Sequence, residues 1–156
     1  MSDTLIRLED YRPEHQPHFE RLNREWIEKY FRMEPVDQQV LGHPEEHIIK
    51  PGGAILMARY AEEIAGTVAL RFVAPGIYEF TKMAVDEKFR GKKIGLALTE
   101  AAMQKASALG ATKIILYSST KLTPALTLYR KAGFKEIPVD GPYKRSDIKM
   151  ELIIKQ

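Results

Sequence analysis

The chain has 156 residues, 44% hydrophobic and 29% charged, a balance that supports a folded domain and argues against intrinsic disorder. Its 24 basic and 21 acidic residues leave a net charge of +3, too small an excess to mark a nucleic-acid binder. It holds no cysteine, which excludes a disulfide framework, a cysteine nucleophile and a thiolate zinc site. No apolar run approaches the roughly 18 residues needed to cross a bilayer. Met1-Ser2-Asp3-Thr4 lacks the basic start and apolar core of a secretory signal. The expectation is a single domain over residues 1–156, cytoplasmic, with no membrane or nucleic-acid partner.

Leu5, Ile6 and Leu8 suggest a short first strand. After Arg12-Pro13, the segment Glu14 to Phe31 places Phe19, Leu22, Trp26, Ile27 and Tyr30 at helical spacing. His15 and His18 are read as exposed residues at its start. A second, shorter helix is predicted from about Val36 to Leu41, and Pro51-Gly52-Gly53 breaks the chain before a run of strands. Ala54–Tyr60, Ile64–Val73 and Ile77–Val85 read as an antiparallel meander with short connections. Ile94, Leu98, Ala101, Ala102 and Ala106 predict a helix from Ile94 to Leu109, stopped by Gly110. Lys113–Tyr117 is a buried strand, and Pro124 suits the first turn of a helix ending at Ala132-Gly133. Strands Phe134–Ile137 and Ile148–Ile154 close the chain. The order β-α-α-β-β-β-α-β-α-β-β implies a mixed sheet with helices on both faces.

His43-Pro44-Glu45-Glu46-His47 fits a His-x-x-Glu-His zinc pattern, which needs both histidines on one face of a buried helix and a third ligand. Pro44 and the short polar context argue for a capped surface turn, and no metal is expected.

The informative stretch runs from Tyr78 to Gly95. A strand ends at Val85, a basic glycine-containing turn follows, and a helix starts near Ile94. Such a turn aims backbone N–H groups at one point, backed by the positive end of the helix. Arg90, Lys92 and Lys93 add full charges, so a pyrophosphate is a natural guest. A solvated basic turn is the alternative.

Arg90-Gly91-Lys92-Lys93-Ile94-Gly95 resembles motif A of the GNAT superfamily of N-acetyltransferases, Arg/Gln-x-x-Gly-x-Gly/Ala, with Lys93 in place of the middle glycine. Glu79–Val85 resembles the strand that leads into this motif. Leu126–Phe134, which contains Leu128-Tyr129-Arg130-Lys131-Ala132-Gly133-Phe134, resembles the later "LY-x-K-x-GF" signature, and Asp147–Leu152 resembles the closing strand. The resemblance implies an α/β (mixed α+β) GNAT-like fold: a mostly antiparallel mixed sheet of six to seven strands, about four helices, and splayed central strands.

It further implies an acetyl-coenzyme A-dependent N-acetyltransferase that moves the acetyl group directly to an amine in a ternary complex. The donor's pantetheine arm falls to Met83, Ala84 and Val85, and its phosphates to Arg90, Gly91, Lys92, Lys93, Ile94 and Gly95, with Leu96 and Ala97 beyond. Tyr129 aligns with the general acid that protonates the departing thiolate. The other reading of Tyr129 is a packed core tyrosine. Glu79 stands where several members keep a base, and its alternatives are a solvent-facing strand residue or one that only binds a cationic acceptor. Trp26, Tyr30, Phe31 and Tyr143 are candidates for the acceptor pocket, with core packing as the competing role. The acceptor is a small-molecule or protein amine, and members of the family often form homodimers. Rivals are a non-catalytic acyl-coenzyme A-binding module on the same fold, and a nucleic-acid binder using the basic turn.

Overall fold

Apolar residues on both sides of a strand require layers on both sides of the sheet, and this chain supplies them. The computed structural model describes residues 5–140 and 146–154. Strand β1 (Ile6–Asp10) is followed by a 3-10 turn, Pro13–His15, and helices α1 (Gln16–Tyr30) and α2 (Pro35–Gly42). Strands β2 (Ala54–Tyr60), β3 (Glu63–Ala74) and β4 (Ile77–Val85) form the predicted meander. Helix α3 (Ile94–Ala108), strand β5 (Lys113–Ser118), helix α4 (Thr123–Ala132) and strands β6 (Lys135–Ile137) and β7 (Ile148–Ile153) complete the order. The sheet has seven strands in the order β1-β2-β3-β4-β5-β7-β6. Every neighbouring pair is antiparallel except β4 and β5. This is the mixed α/β fold expected, with four α-helices among the described residues.

Side-chain alternation sorts the core into two layers. Leu56, Val68, Leu70, Tyr78, Phe80, Ile114, Leu116 and Met150 pack under α3 and α4 with Ile94, Leu98, Ala102, Leu126 and Tyr129. Ile55, Met57 and Ala69 face the other way and pack on Phe19, Leu22, Ile27, Val40 and Leu41 of α1 and α2. Gly66 lets α3 approach the sheet closely: a Cβ there would lie 3.0 Å from Leu98 Cδ1 and 3.1 Å from Ile94 Cγ2.

Two local readings need correction. His15 is buried rather than exposed, with 2% of its surface accessible. Its Nδ1 accepts the Arg12 backbone N–H at 2.9 Å, so the proton sits on Nε2, which lies 2.8 Å from Glu9 Oε2. The ring is turned inward to cap the 3-10 turn. Between α2 and β2, the predicted surface turn is a π-helical turn, Glu45–Ile49, which exposes His43 and His47 but buries Ile48 in the α1/α2 layer. Among the described residues no group of three or more His, Asp or Glu side chains could hold a metal. No described helix is long and apolar enough to cross a membrane.

Candidate active site

The sheet opens at the β4–β5 junction, the only parallel one among the described residues. β4 and β5 pair at Ile77↔Lys113, Tyr78↔Ile114 and Glu79↔Ile115, and no further. Beyond Glu79 the strands part, β5 continuing its ladder with β7 to Ser118↔Ile148. The central strands are splayed, and a cavity of about 370 Å³ fills the gap, lined by β4 from Glu79 to Val85 and by the end of β5 from Leu116 to Ser118.

A bulge in β4 shapes this edge. Ala69 faces Thr81 and Thr67 faces Ala84, so Lys82 and Met83 together oppose Val68. Lys82 takes the left-handed conformation, φ 57°. The inserted residue reverses the alternation. Before it Tyr78 and Phe80 face the α3/α4 layer; after it Met83 and Val85 do, while Ala84 faces α1 and α2. Lys82 turns with them. Its Nζ donates to Asp37 Oδ1 of α2 at 2.7 Å, a pair with side chains only 3% and 0% exposed. The other carboxylate oxygen of Asp37 accepts the Glu34 N–H at 2.9 Å and caps α2.

The basic turn lies at one end of the cavity, which Arg90, Gly91, Lys93, Ile94 and Gly95 line. Gly91 (φ 82°) and Lys93 (φ 64°) both adopt the left-handed region. Lys93 caps α3, and the first intrahelical bond is Ala97 N–H to Lys93 O at 3.1 Å. The N–H groups of Ile94, Gly95 and Leu96 therefore have no acceptor within the helix. Nothing lies within 4 Å of a Cβ built on Gly91. Arg90 Nη2 sits 3.5 Å from both the Tyr30 hydroxyl and Glu87 Oε1, and Lys29 bonds Glu87, tying the end of α1 to this turn.

Of the other sequence-predicted residues, Glu79, Trp26, Phe31 and Tyr129 line the same cavity, with Met83, Ala84 and Val85 along its β4 wall. Lys92, Leu96, Ala97 and Tyr30 do not line it. Lys92 Nζ lies over the Tyr60 ring at 5.6 Å, Leu96 is exposed, and Tyr30 adjoins the site through Arg90 and its ring contact with Trp26 at 5.7 Å. Tyr143 falls outside the described residues.

Glu79 is 1% exposed, not solvent-facing, and its Oε1 accepts Arg71 Nε at 2.8 Å. Tyr129 is 8% exposed, and its ring packs edge-on to Phe80 (5.5 Å) and Phe134 (6.0 Å). Burial pushes its phenol pKa well above the ordinary value of 10, so the group stays protonated at neutral pH. Tyr129 thus packs in the core, as its other reading expected, and also lines the cavity.

Sequence reasoning missed Asn23, Lys82, Ser118 and Ser119, all of which line the cavity. The serines carried a signal, since they close a central strand at its carboxyl end, where α/β sheets place ligands. Asn23 lay hidden in a helix whose apolar spacing was already accounted for; its Nδ2 donates to Phe19 O at 3.0 Å.

A mixed seven-stranded sheet, opened at one parallel junction over a glycine-containing turn and a helix start, defines an acetyltransferase fold. The Acetyltransferase (GNAT) family matches residues 7–134, and the chain belongs to it. An uncharacterized N-acetyltransferase of Schizosaccharomyces pombe is 30% identical over 128 residues, covering 79% of this chain and 78% of that protein. The IAA acetyltransferase of Azospirillum brasilense is 32% identical over 97 residues, 62% of this chain and 63% of that one. A mycothiol acetyltransferase of Clavibacter michiganensis is 34% identical over 93 residues, and there the match spans only 30% of the relative. Among solved structures, a GNAT-family acetyltransferase of Staphylococcus aureus superposes with a TM-score of 0.86 at 20% identity, covering 96% of this chain and 99% of that one. The PaiA N-acetyltransferase of Thermoplasma acidophilum, solved with coenzyme A, superposes at 0.74 with 18% identity, over 96% and 99% of the two chains.

Proposed function

We propose that the protein transfers an acetyl group from acetyl-coenzyme A to the amine of an acceptor by direct reaction in a ternary complex. The observation that carries this reading is the cavity: the opened β4 edge, the basic turn before α3, Glu79 and Tyr129 all line one space. Family membership and a fold relative solved with coenzyme A support the donor. The turn also fits it, since Ile94, Gly95 and Leu96 offer N–H groups with no acceptor in the helix, Gly91 leaves open space, and Arg90 and Lys93 flank them with cations.

In this reading Arg90, Gly91, Lys93, Ile94 and Gly95 hold the pyrophosphate, with Lys92, Leu96 and Ala97 at its margin. The backbone of Met83, Ala84 and Val85 lies along the pantetheine arm. The acceptor nitrogen enters between Trp26, Phe31 and Glu79, with Tyr30 supporting the aromatic wall. Its lone pair attacks the thioester carbonyl carbon, the C–N bond forms and the C–S bond breaks. The nitrogen's proton passes to Glu79, directly or through water, and Tyr129 gives its proton to the leaving sulfur. No covalent acyl-enzyme is needed, because positioning supplies the rate.

The test begins with thermal unfolding in acetyl-coenzyme A against ATP at equal ionic strength. A ligand at 100 times its Kd stabilises a fold by about 2.7 kcal/mol. Thiol release is then followed over an amine panel. Tyr129→Phe is expected to lower kcat by about 10²–10⁴-fold with the acetyl-coenzyme A Kd unchanged. Binding of acetyl-coenzyme A with no turnover on any amine, in the native protein and the variant alike, would instead favour an acyl-coenzyme A-binding module.

A further inference from the structure

We infer that Asp37 and Lys82 are positioning residues: their buried ion pair locks the β4 bulge and so presents the β4 edge to the thioester end of the donor. The inference rests on the acetyltransferase reading above and adds to it a control point on α2.

An unbulged β4 would send Lys82 to the same face as Tyr78 and Phe80, into the apolar layer beneath α3 and α4. An ammonium buried there without a counter-ion is strongly disfavoured. The observed chain instead takes φ 57° at Lys82, a conformation that side chains with a Cβ rarely adopt. That turn delivers the ammonium to Asp37 on the opposite face. Asp37 cannot drift, because its second oxygen caps the first turn of α2 and its side chain is fully enclosed. A buried pair of this kind resists separation, since pulling two opposite charges apart away from water is costly. The strain at Lys82 and the ion pair thus require each other. The consequence is felt next door: Met83 and Val85 are turned toward the α3 side of the sheet while Ala84 is turned away. All three lie on the stretch of β4 that has no β5 partner. The phosphate turn lies beyond the end of β4 at Val85 and leads directly into α3 at Ile94.

The two ends of the donor should therefore respond differently. The Kd of acetyl-coenzyme A and of 3′-phosphoadenosine 5′-diphosphate, its nucleotide end, would be measured by calorimetry on the native chain and three variants. Asp37→Asn keeps the α2 cap but removes the carboxylate charge that faces Lys82. The double variant Asp37→Asn/Lys82→Met removes both charges, so it folds even if the single one does not, but leaves a Cβ at the strained position. In Asp37→Asn/Lys82→Gly that position is relaxed, because glycine adopts positive φ without steric cost. Acetyl-coenzyme A binding is expected to weaken by about tenfold or more in the first two variants and to recover in the glycine variant, with nucleotide binding within twofold throughout. Three results would overturn the proposal: native affinity in the methionine double variant, no recovery with glycine, or equal weakening of both ligands, which marks a general structural role. If the native chain itself does not bind acetyl-coenzyme A, the failure belongs to the function proposed above.

Discussion

Lys93 takes φ 64° and ψ 25° as it caps α3, at the position where the GNAT signature carries glycine. The usual reason for glycine there is visible: the chain must enter the helix through the left-handed region, where a Cβ meets the following carbonyl at a cost of roughly 1–2 kcal/mol. Lysine accepts that cost and adds a cation at the edge of the cavity. Comparing Lys93→Gly with Lys93→Ala isolates the term, because neither variant has the charge and only alanine keeps the Cβ. The glycine variant should be the more stable by about 0.5–1 kcal/mol after its larger unfolded-state entropy is deducted. Urea unfolding of the two variants reads this directly. In the helix interior the order would be reversed, so alanine emerging as the more stable would mean that the turn is not held in the left-handed region.

At the scale of elements, tight passages between backbones constrain the fold alongside the apolar layers. Gly53 sits between the π-helical turn and β3, where an added Cβ would lie 2.2 Å from Leu70 O and 2.7 Å from Ile48 O. Both contacts are to main chain, and the Gly53 N–H already donates to Ile48 O at 2.8 Å. Gly53→Ala should therefore cost at least about 2 kcal/mol, which for a chain of this length lowers Tm by roughly 4–8 °C. Thermal unfolding of the variant checks it, and an unchanged midpoint would mean that the turn can lift away from β3 freely. The element order was legible in the sequence because the meander and α3 carry clear periodicities and clear stops, such as Pro51-Gly52-Gly53 and Gly110. The turn at Arg90 to Gly95 was legible as chemistry because charge, glycine and helix start coincide. The bulge was not, since it depends on positive φ at a lysine, and the Lys82–Asp37 pair joins residues 45 positions apart that no local pattern connects. His15 was misread for a different reason: its partners, the Arg12 N–H and Glu9, are close in sequence, but the 3-10 turn that brings them to the ring leaves no mark in the apolar helical spacing.

For the molecule as a whole, the ionisable groups set opposite limits on stability at low and high pH. Glu9 is held below its ordinary 4.5 chiefly by the hydrogen bond from Arg59, and Glu20 chiefly by those from Arg24 and Gln16. His18 is held below 6.5, first by burial and then by Arg21. In each case the unfolded chain takes up protons that the folded chain refuses, so stability rises with pH through these windows and is lost on acidification. The His18 share starts to fall below about pH 6.5, and the glutamate shares below about 4.5. On the alkaline side, burial pushes Tyr11 up to about 12 and raises Tyr129 as well. Above about pH 10 the unfolded tyrosines ionise first, the folded state then holds more protons, and stability falls as pH rises. Urea unfolding across pH should give a plateau between about pH 7 and 10 with a limb on either side. Arg59→Gln tests the acid limb: without the guanidinium, Glu9 returns toward its ordinary pKa, and the decline below about pH 4.5 becomes shallower while the alkaline limb keeps its slope. An acid limb as steep in the variant as in the native chain would assign the acid sensitivity to other carboxylates, and the Arg59–Glu9 contact at 2.8 Å would then contribute no pH-dependent stability.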